Sequence, residues 1–194
     1  AQLHLDKVRA GQDANIWPAV DLRRHNYIAY DWLYNAMTPE ERLEIGKILL
    51  EITELHEKND TWDHAYAGGY GQHEDAFYCG LALYKSGVDD ARADHFLTTG
   101  YDFMLNQTIA GRSQVAADDG GIQSGMGYAL YNYIPVEAYF LSLWKSATGE
   151  DLFDRDSSLK NFPVWALYTI TPDFQKPAIC DHDPVGKAPV ERNP

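Results

Sequence analysis

The chain has 194 residues, 45% of them hydrophobic, so it is long enough and apolar enough to bury the core of an ordinary domain. Its formal net charge of -13 argues against a nucleic-acid-binding or anionic-membrane-binding surface, because those polyanions require a dense basic face. The sequence has no apolar run long enough for a bilayer and starts at Ala1 without Met. We therefore expect a soluble, trimmed polypeptide.

The two cysteines, Cys79 and Cys180, are too few and too far apart for a disulfide scaffold or a CxxC metal site. Cys79 lies in an apolar run, where a thiol is more often buried than reactive. His182 stands between Asp181 and Asp183, but one short cluster supplies too few ligands for Zn²⁺ or Ca²⁺. We predict no metal and no cofactor.

The first predicted elements are two helices joined by a short turn. A helical stripe precedes the turn, formed by Ile28, Ala29, Trp32, Leu33 and Ala36. After it, Thr38 can cap a helix, Pro39 suits the first turn and Glu41 completes a capping box. Apolar residues at helical spacing then continue this second helix to about Lys58, and we expect an antiparallel hairpin.

A second helical pair follows the polar, Gly-rich residues 59–72. The first helix of this pair is expected to end near Gly87, and its apolar positions are Phe77, Gly80, Leu81 and Tyr84. The apolar positions of its partner are Phe96, Leu97, Tyr101 and Met104. The stretch from Gly111 to Gly127 is rich in Gly, Asp and Ser, which is typical of an exposed loop.

The C-terminal third of the chain predicts two more helices and a tail. One helix starts or kinks at Pro135 and stops near Gly149, and a last helix opens near Pro163. Residues 181–194 are typical of a linker or the truncated start of a following region. No extended alternation of period two occurs, so we predict an all-α fold of antiparallel helical hairpins over residues 1–180.

Two segments place Gly and polar residues before a predicted helix, where backbone N–H groups favour anions. They are 68–75, which contains His73, and 118–128, which ends at Tyr128. Each segment alone has an ordinary explanation. A GGYG run is usually a flexible turn, a tyrosine is usually a core residue, and Glu74 and Asp75 would stabilise a helix through its dipole.

The order of these segments resembles the heparinase II/III-like polysaccharide lyases and the related α/α-toroid alginate lyases. The resemblance covers roughly residues 20–170. It is carried by the ordered set Tyr30-Asp31-Trp32-Leu33-Tyr34, Thr38-Pro39-Glu40-Glu41-Arg42, Gln72-His73, Asp118-Asp119-Gly120-Gly121 with Gly127-Tyr128, and Ser146-Ala147-Thr148-Gly149.

This resemblance implies part of an incomplete (α/α) toroid, with further helices and a β-sandwich beyond this chain. It implies cleavage of uronic-acid-containing polysaccharides by β-elimination, in the periplasm or outside the cell. The substrate is then an anionic polysaccharide, with no nucleic acid and no membrane as partner. The charge of -13 favours sparsely charged uronate polymers over densely sulfated heparin.

The resemblance also implies site residues. The Asn-His pair of the family falls on Gln72 and His73, and its catalytic tyrosine falls on Tyr128. Gln72 departs from the commoner Asn by one methylene group. A further family histidine has no convincing counterpart, and the only late candidate is His182.

These residue types suit the chemistry of β-elimination. The C5 proton of a uronate is a poor acid, because its removal adds charge beside a carboxylate. Hydrogen bonds from Gln72 and His73 to that carboxylate would stabilise the enolate-like state. Tyr128 would act as general base at C5 and, depending on geometry, as general acid toward O4. Its pKa must be lowered by a cation, and the candidates are His73, Arg112, His64 and Arg23.

Other residues are predicted to bind substrate. Aromatic rings that could stack on sugars are Trp62, Tyr66 and Tyr70. Arg23 and Arg112 could meet an anionic polymer, and Tyr131 is also predicted to bind substrate. Tyr131 and Tyr133 are the next candidates for the base. Two alternatives to a lyase remain open. One is a glycoside hydrolase that uses Asp75 and Asp118 as a carboxylate pair, and the other is a carbohydrate-binding fragment without turnover.

Overall fold

The structure, a computed structural model, describes residues 5–6, 9–10, 17–59, 72–116, 119–122 and 125–170. Over these residues the fold is all-α, as predicted, and contains no strand. The α-helices are α1 (Trp17–Leu33), α2 (Pro39–Asn59), α3 (Gln72–Ala82), α4 (Asp90–Asp102), α5 (Ala110–Ala116), α6 (Gly125–Tyr128), α7 (Ile134–Thr148) and α8 (Ser157–Thr169). None of these helices is long and apolar enough to cross a membrane.

The chain divides into two compact units, Ala1–Met104 (unit 1) and Leu105–Pro194 (unit 2). The division falls within a π-helical stretch, Phe103–Ile109, between α4 and α5. A second π-helical stretch, Ala129–Tyr133, leads from α6 into α7. The proposed linker at 181–194 lies outside the described residues.

Helix α2 starts where the capping box predicts. The backbone N–H of Glu41 donates to Thr38 Oγ1 at 3.2 Å, and the backbone N–H of Thr38 donates to a Glu41 carboxylate oxygen at 2.8 Å. These hydrogen bonds lower the pKa of Glu41. The chain therefore encodes this helix start locally, and α2 packs against α1 as the predicted first helical pair.

Helix α3 is the central helix of unit 1. Every residue from Glu74 to Gly80 is buried, and the helix packs most extensively against α4 and also against α1 and α2. Gly80 allows the close approach to α4, because a Cβ atom there would lie 2.2 Å from the backbone nitrogen of Leu97. The largest core side chains around it include Tyr27, Leu49, Leu50, Phe77, Leu83 and Phe96.

The core of unit 2 lies where α6, the second π-helical stretch and α8 meet. Its buried cluster consists of Ile122, Met126, Ala129, Tyr133 and Phe162. Gly120 has φ +72 and sits against the backbone of α8, where a Cβ atom would be 2.3 Å from the backbone nitrogen of Phe162. Only glycine combines that backbone conformation with that approach.

Two sequence predictions for unit 2 are wrong. The segment from Gly111 to Gly127 is not an exposed loop throughout, because it contains most of α5 and most of α6, and Gly120 and Ile122 are buried. The last helix does not open near Pro163, which lies inside α8. It begins at Ser157, since the Asp156 carboxylate accepts a hydrogen bond of 2.8 Å from the Leu159 N–H and so caps the helix.

Candidate functional site

The Gln72-His73 pair lies where the sequence places it, at the start of a helix. Helix α3 begins at Gln72, so both residues belong to its first turn. The N–H groups of a first turn have no partner within the helix, and the dipole adds a partial positive charge. Glu74 and Asp75 follow directly and are both buried, with 4% of their surface exposed.

These two carboxylates contact basic side chains from two different helices. The Glu74 carboxylate lies 3.5 Å from Nε of Arg24, on α1. The Asp75 carboxylate lies 3.5 Å from Nδ1 of His56, on α2. The first turn of α3 is thus tied to both neighbouring helices by charged or polar groups, which goes beyond the dipole stabilisation that the sequence predicts for Glu74 and Asp75.

The same face of the unit 1 core holds further buried polar groups. Burial raises the pKa of Tyr78 well above its usual value, and the charge of Glu74 adds to the rise. The hydroxyl groups of Tyr27 and Thr53 share a hydrogen bond of 2.8 Å, and Thr53 also donates to the Leu49 carbonyl at 2.9 Å. We define the buried polar cluster of unit 1 as Thr53, His56, Glu74, Asp75 and Tyr78 together with the partly buried Arg24.

Tyr128, the predicted base, is the last residue of α6 in unit 2. Its neighbours Gly125, Met126, Gly127 and Ala129 are buried, whereas Tyr128 is only partly buried. Its ring packs against the apolar cluster of unit 2. Within residues 125–129, Tyr128 is thus the one residue that is not fully buried.

Arg112 occupies a buried position in α5, with 5% of its surface exposed. Its guanidinium group forms an ion pair with Glu137 of α7 and lies 4.1 Å from the ring centroid of Tyr133. A guanidinium over an aromatic face is attracted by the quadrupole of the ring. The two predicted roles of Arg112, contact with substrate and depression of the Tyr128 pKa, stay predictions.

Glu137 and Asp156 form a buried carboxyl pair beside Arg112. Both residues are completely buried, and their carboxyl groups interact electrostatically. Asp156 also accepts a hydrogen bond of 2.7 Å from the Ser158 hydroxyl. Burial raises the pKa of Glu137 to about 8; Arg112 opposes this rise and Asp156 adds to it.

The protonation of this pair follows from its charges. Two carboxylates beside one guanidinium would leave a net negative charge in the core, and a proton on Glu137 removes it. The raised pKa favours the neutral form of Glu137 at pH 7, in which this side chain can donate a hydrogen bond to Asp156. Because both groups are inaccessible to solvent, this pair is not placed to act on a sugar in the manner of hydrolase carboxylates.

The structure leaves several predicted site residues undescribed. Trp62, His64, Tyr66, Tyr70, Asp118 and His182 lie outside the described residues. Arg23 falls in α1 and Tyr131 in the second π-helical stretch, where the structure describes the backbone. His73 and Tyr128 belong to different units, so their pairing stays a prediction.

Among the charged residues of the unit 1 cluster and of the carboxyl pair in unit 2, sequence reasoning missed Arg24 as a partner of Glu74, His56, Glu137 and Asp156. Each lies in a helix or at a helix start, where a charged residue is ordinarily exposed to solvent. The signal that could have indicated them is their position on apolar faces; for example, His56 follows Leu49 and Ile52 at helical spacing. Within the described ranges, no group of three or more His, Cys, Asp or Glu could hold a metal ion.

Over the described residues, the protein is thus all-α, with the buried polar cluster in unit 1 and the buried carboxyl pair beside Arg112 in unit 2. Comparisons of the chain with protein-family models, with curated proteins and with solved structures give no match.

Proposed function

We propose that the chain is the helical part of a polysaccharide lyase that cleaves uronic-acid-containing polymers by β-elimination, with its helices forming part of an (α/α) toroid. Three features support this. The ordered motifs resemble those of the heparinase II/III-like lyases, the described residues are all-α, and α3 begins at the Gln72-His73 pair. The single observation that carries the proposal is the partial exposure of Tyr128 within an otherwise buried run.

In the proposed reaction, Gln72 and His73 donate hydrogen bonds to the uronate carboxylate and stabilise the charge that builds there. Tyr128 removes the C5 proton, and the electrons of the C5–H bond form the C4–C5 double bond. The C4–O4 bond breaks, and O4 leaves with a proton supplied by the acid form of the same tyrosine or by water. The products are a shortened chain and an unsaturated uronate.

The unsaturated uronate absorbs ultraviolet light, which gives the test. Purified protein is incubated with alginate, hyaluronate-like and other uronate polymers while absorbance is followed. We expect activity on at least one polymer and a loss of about 10²- to 10⁴-fold in kcat for Tyr128→Phe, because general acid–base catalysis contributes that much.

Tyr168→Phe is the matched control, because it removes the same hydroxyl group from a tyrosine of unit 2 that is 87% exposed. It should leave kcat unchanged. New reducing ends without ultraviolet absorbance would show that the polymer is cleaved by hydrolysis and would contradict elimination. Saturable binding without either product would leave a carbohydrate-binding fragment, and full activity of Tyr128→Phe would remove Tyr128 as the base.

A further inference from the structure

We propose that Glu74 and Asp75 are positioning residues, which fix the first turn of α3 and thereby the backbone that carries Gln72 and His73. This inference rests on the proposed function, because the orientation of that turn affects catalysis only if Gln72 and His73 bind the substrate. The inference goes beyond the proposed function because it names side chains of the buried polar cluster of unit 1 that act without contact with substrate.

The geometry supports this through two anchors in two directions. Successive residues of an α-helix point about 100° apart around its axis. Glu74 therefore reaches toward α1, where it meets Arg24, and Asp75 reaches toward α2, where it meets His56. A rotation or a shift of α3 along its axis would lengthen both contacts, so together they fix the angular setting of the first turn.

The energetics favour positioning over simple stabilisation. Burying an ion pair costs hydration free energy, which the attraction between the two charges only partly offsets. Apolar side chains of similar volume often stabilise a fold at least as well. The rest of α3, from Ala76 to Ala82, is built largely of such apolar residues. Charged groups occupy the two buried positions next to Gln72 and His73. There, a contact with a defined direction fixes the helix better than the burial of apolar surface does.

The test uses Glu74→Gln and Asp75→Asn, which keep the side-chain volume and remove the charge. We expect kcat per folded molecule to fall by roughly 10- to 100-fold, because small misplacements at a reaction centre have effects of that size. KM should change by less than about threefold, since binding of a polymer is spread over many contacts. A purely structural role would lower the folded fraction and leave kcat per folded molecule unchanged.

Two further variants complete the series. Glu51→Gln is the matched control, because it breaks an ion pair of unit 1 between exposed side chains, Arg9 and Glu51, and should leave kcat and KM unchanged. Glu74→Asp retains the charge with a shorter reach and should recover a large part of the activity that Glu74→Gln loses. It also serves if the neutral variants fail to fold.

Hydrogen exchange of the α3 amides, followed by mass spectrometry, gives a readout that is independent of activity. Loss of protection confined to the amides of residues 76–79, which donate to the carbonyl groups of the first turn of α3, supports the anchoring when it occurs in Glu74→Gln and Asp75→Asn. Unchanged protection, or an unchanged kcat in folded variants, overturns it. If the wild type cleaves no polymer, the proposed function fails, and the exchange measurement alone decides whether these residues hold the turn.

Discussion

The thiol of Cys79 lies in the middle of α3 and is completely buried. Burial raises its pKa to about 12. Because the thiolate is the reactive form, we expect Cys79 in a Cys180→Ser variant to react with a thiol reagent at least about a hundredfold more slowly in the native protein than in denaturant. The rate of label incorporation at pH 8 measures this.

The same variant in increasing concentrations of urea provides the control, because labelling should accelerate together with the loss of helical circular dichroism. Native Cys79 that reacts as fast as the unfolded chain would show that α3 opens readily, and would contradict the central position that the structure gives it.

At the residue scale, the sequence predicts where a helix begins more reliably than it predicts which residues the side chains of that helix contact. Glu74 and Asp75 in a first turn predict a favourable interaction with the helix dipole, which depends only on local order. Their contacts with Arg24 and His56 join residues 50 and 19 positions apart along the chain. Such contacts depend on how the helices pack, so the pattern around Glu74 and Asp75 cannot specify them.

At the scale of the helix, Gly80 and Gly111 should respond in opposite ways to alanine. A Cβ atom on Gly80 would lie 2.5 Å from Cα of Leu97 and 2.7 Å from the carbonyl oxygen of Ala93. Both are backbone atoms of α4, so the two helices must separate. We expect Gly80→Ala to reduce the free energy of unfolding by about 1–3 kcal/mol or more.

Gly111→Ala is the comparison, because nothing lies within 4 Å of a Cβ atom at this helical position. Alanine there should increase the free energy of unfolding by about 0.5–1 kcal/mol, since it restricts the unfolded chain and has the higher helix propensity. Urea denaturation measures both changes. A Gly80→Ala variant that is as stable as the wild type or more stable would contradict the close packing of α3 against α4.

The contrast between α2 and α8 shows what sequence can predict of an element. The start of α2 depends on Thr38 and Glu41, three residues apart, and the sequence predicts it correctly. The start of α8 depends on Asp156, whose cap is equally local, but Pro163 gave the more conspicuous and misleading signal. A proline inside a helix is tolerated where the remaining packing holds the turn, and that packing is not visible in the local sequence.

At the scale of the whole molecule, the sequence predicts the all-α class of the described residues correctly, whereas the site stays a prediction. The predicted catalytic set takes Gln72 and His73 from unit 1 and Tyr128 from unit 2. A resemblance in the order of motifs can propose that such residues act together. Which residues approach each other in space depends on long-range packing, which motif order and helical periodicity do not encode.

The buried carboxyl pair of unit 2 makes the stability of the molecule depend on pH. Glu137 has a folded-state pKa of about 8 against an ordinary value of 4.5. Between these values the folded state binds a proton that the unfolded state releases, so this contribution is complete below pH 4.5 and is lost as the pH rises through 8. Its slope reaches at most about 1.4 kcal/mol per pH unit.

Glu137→Gln isolates this contribution from the other titrating groups. Glutamine has the volume of a protonated glutamate and can accept a hydrogen bond from Arg112 while donating one to Asp156. We expect the two proteins to have similar free energies of unfolding at pH 5, and the variant to be the more stable above pH 8, as measured by urea denaturation across this range. A constant difference between the two free energies of unfolding at every pH would show that Glu137 does not titrate in this window. Any pH dependence that the two proteins share would then belong to other groups.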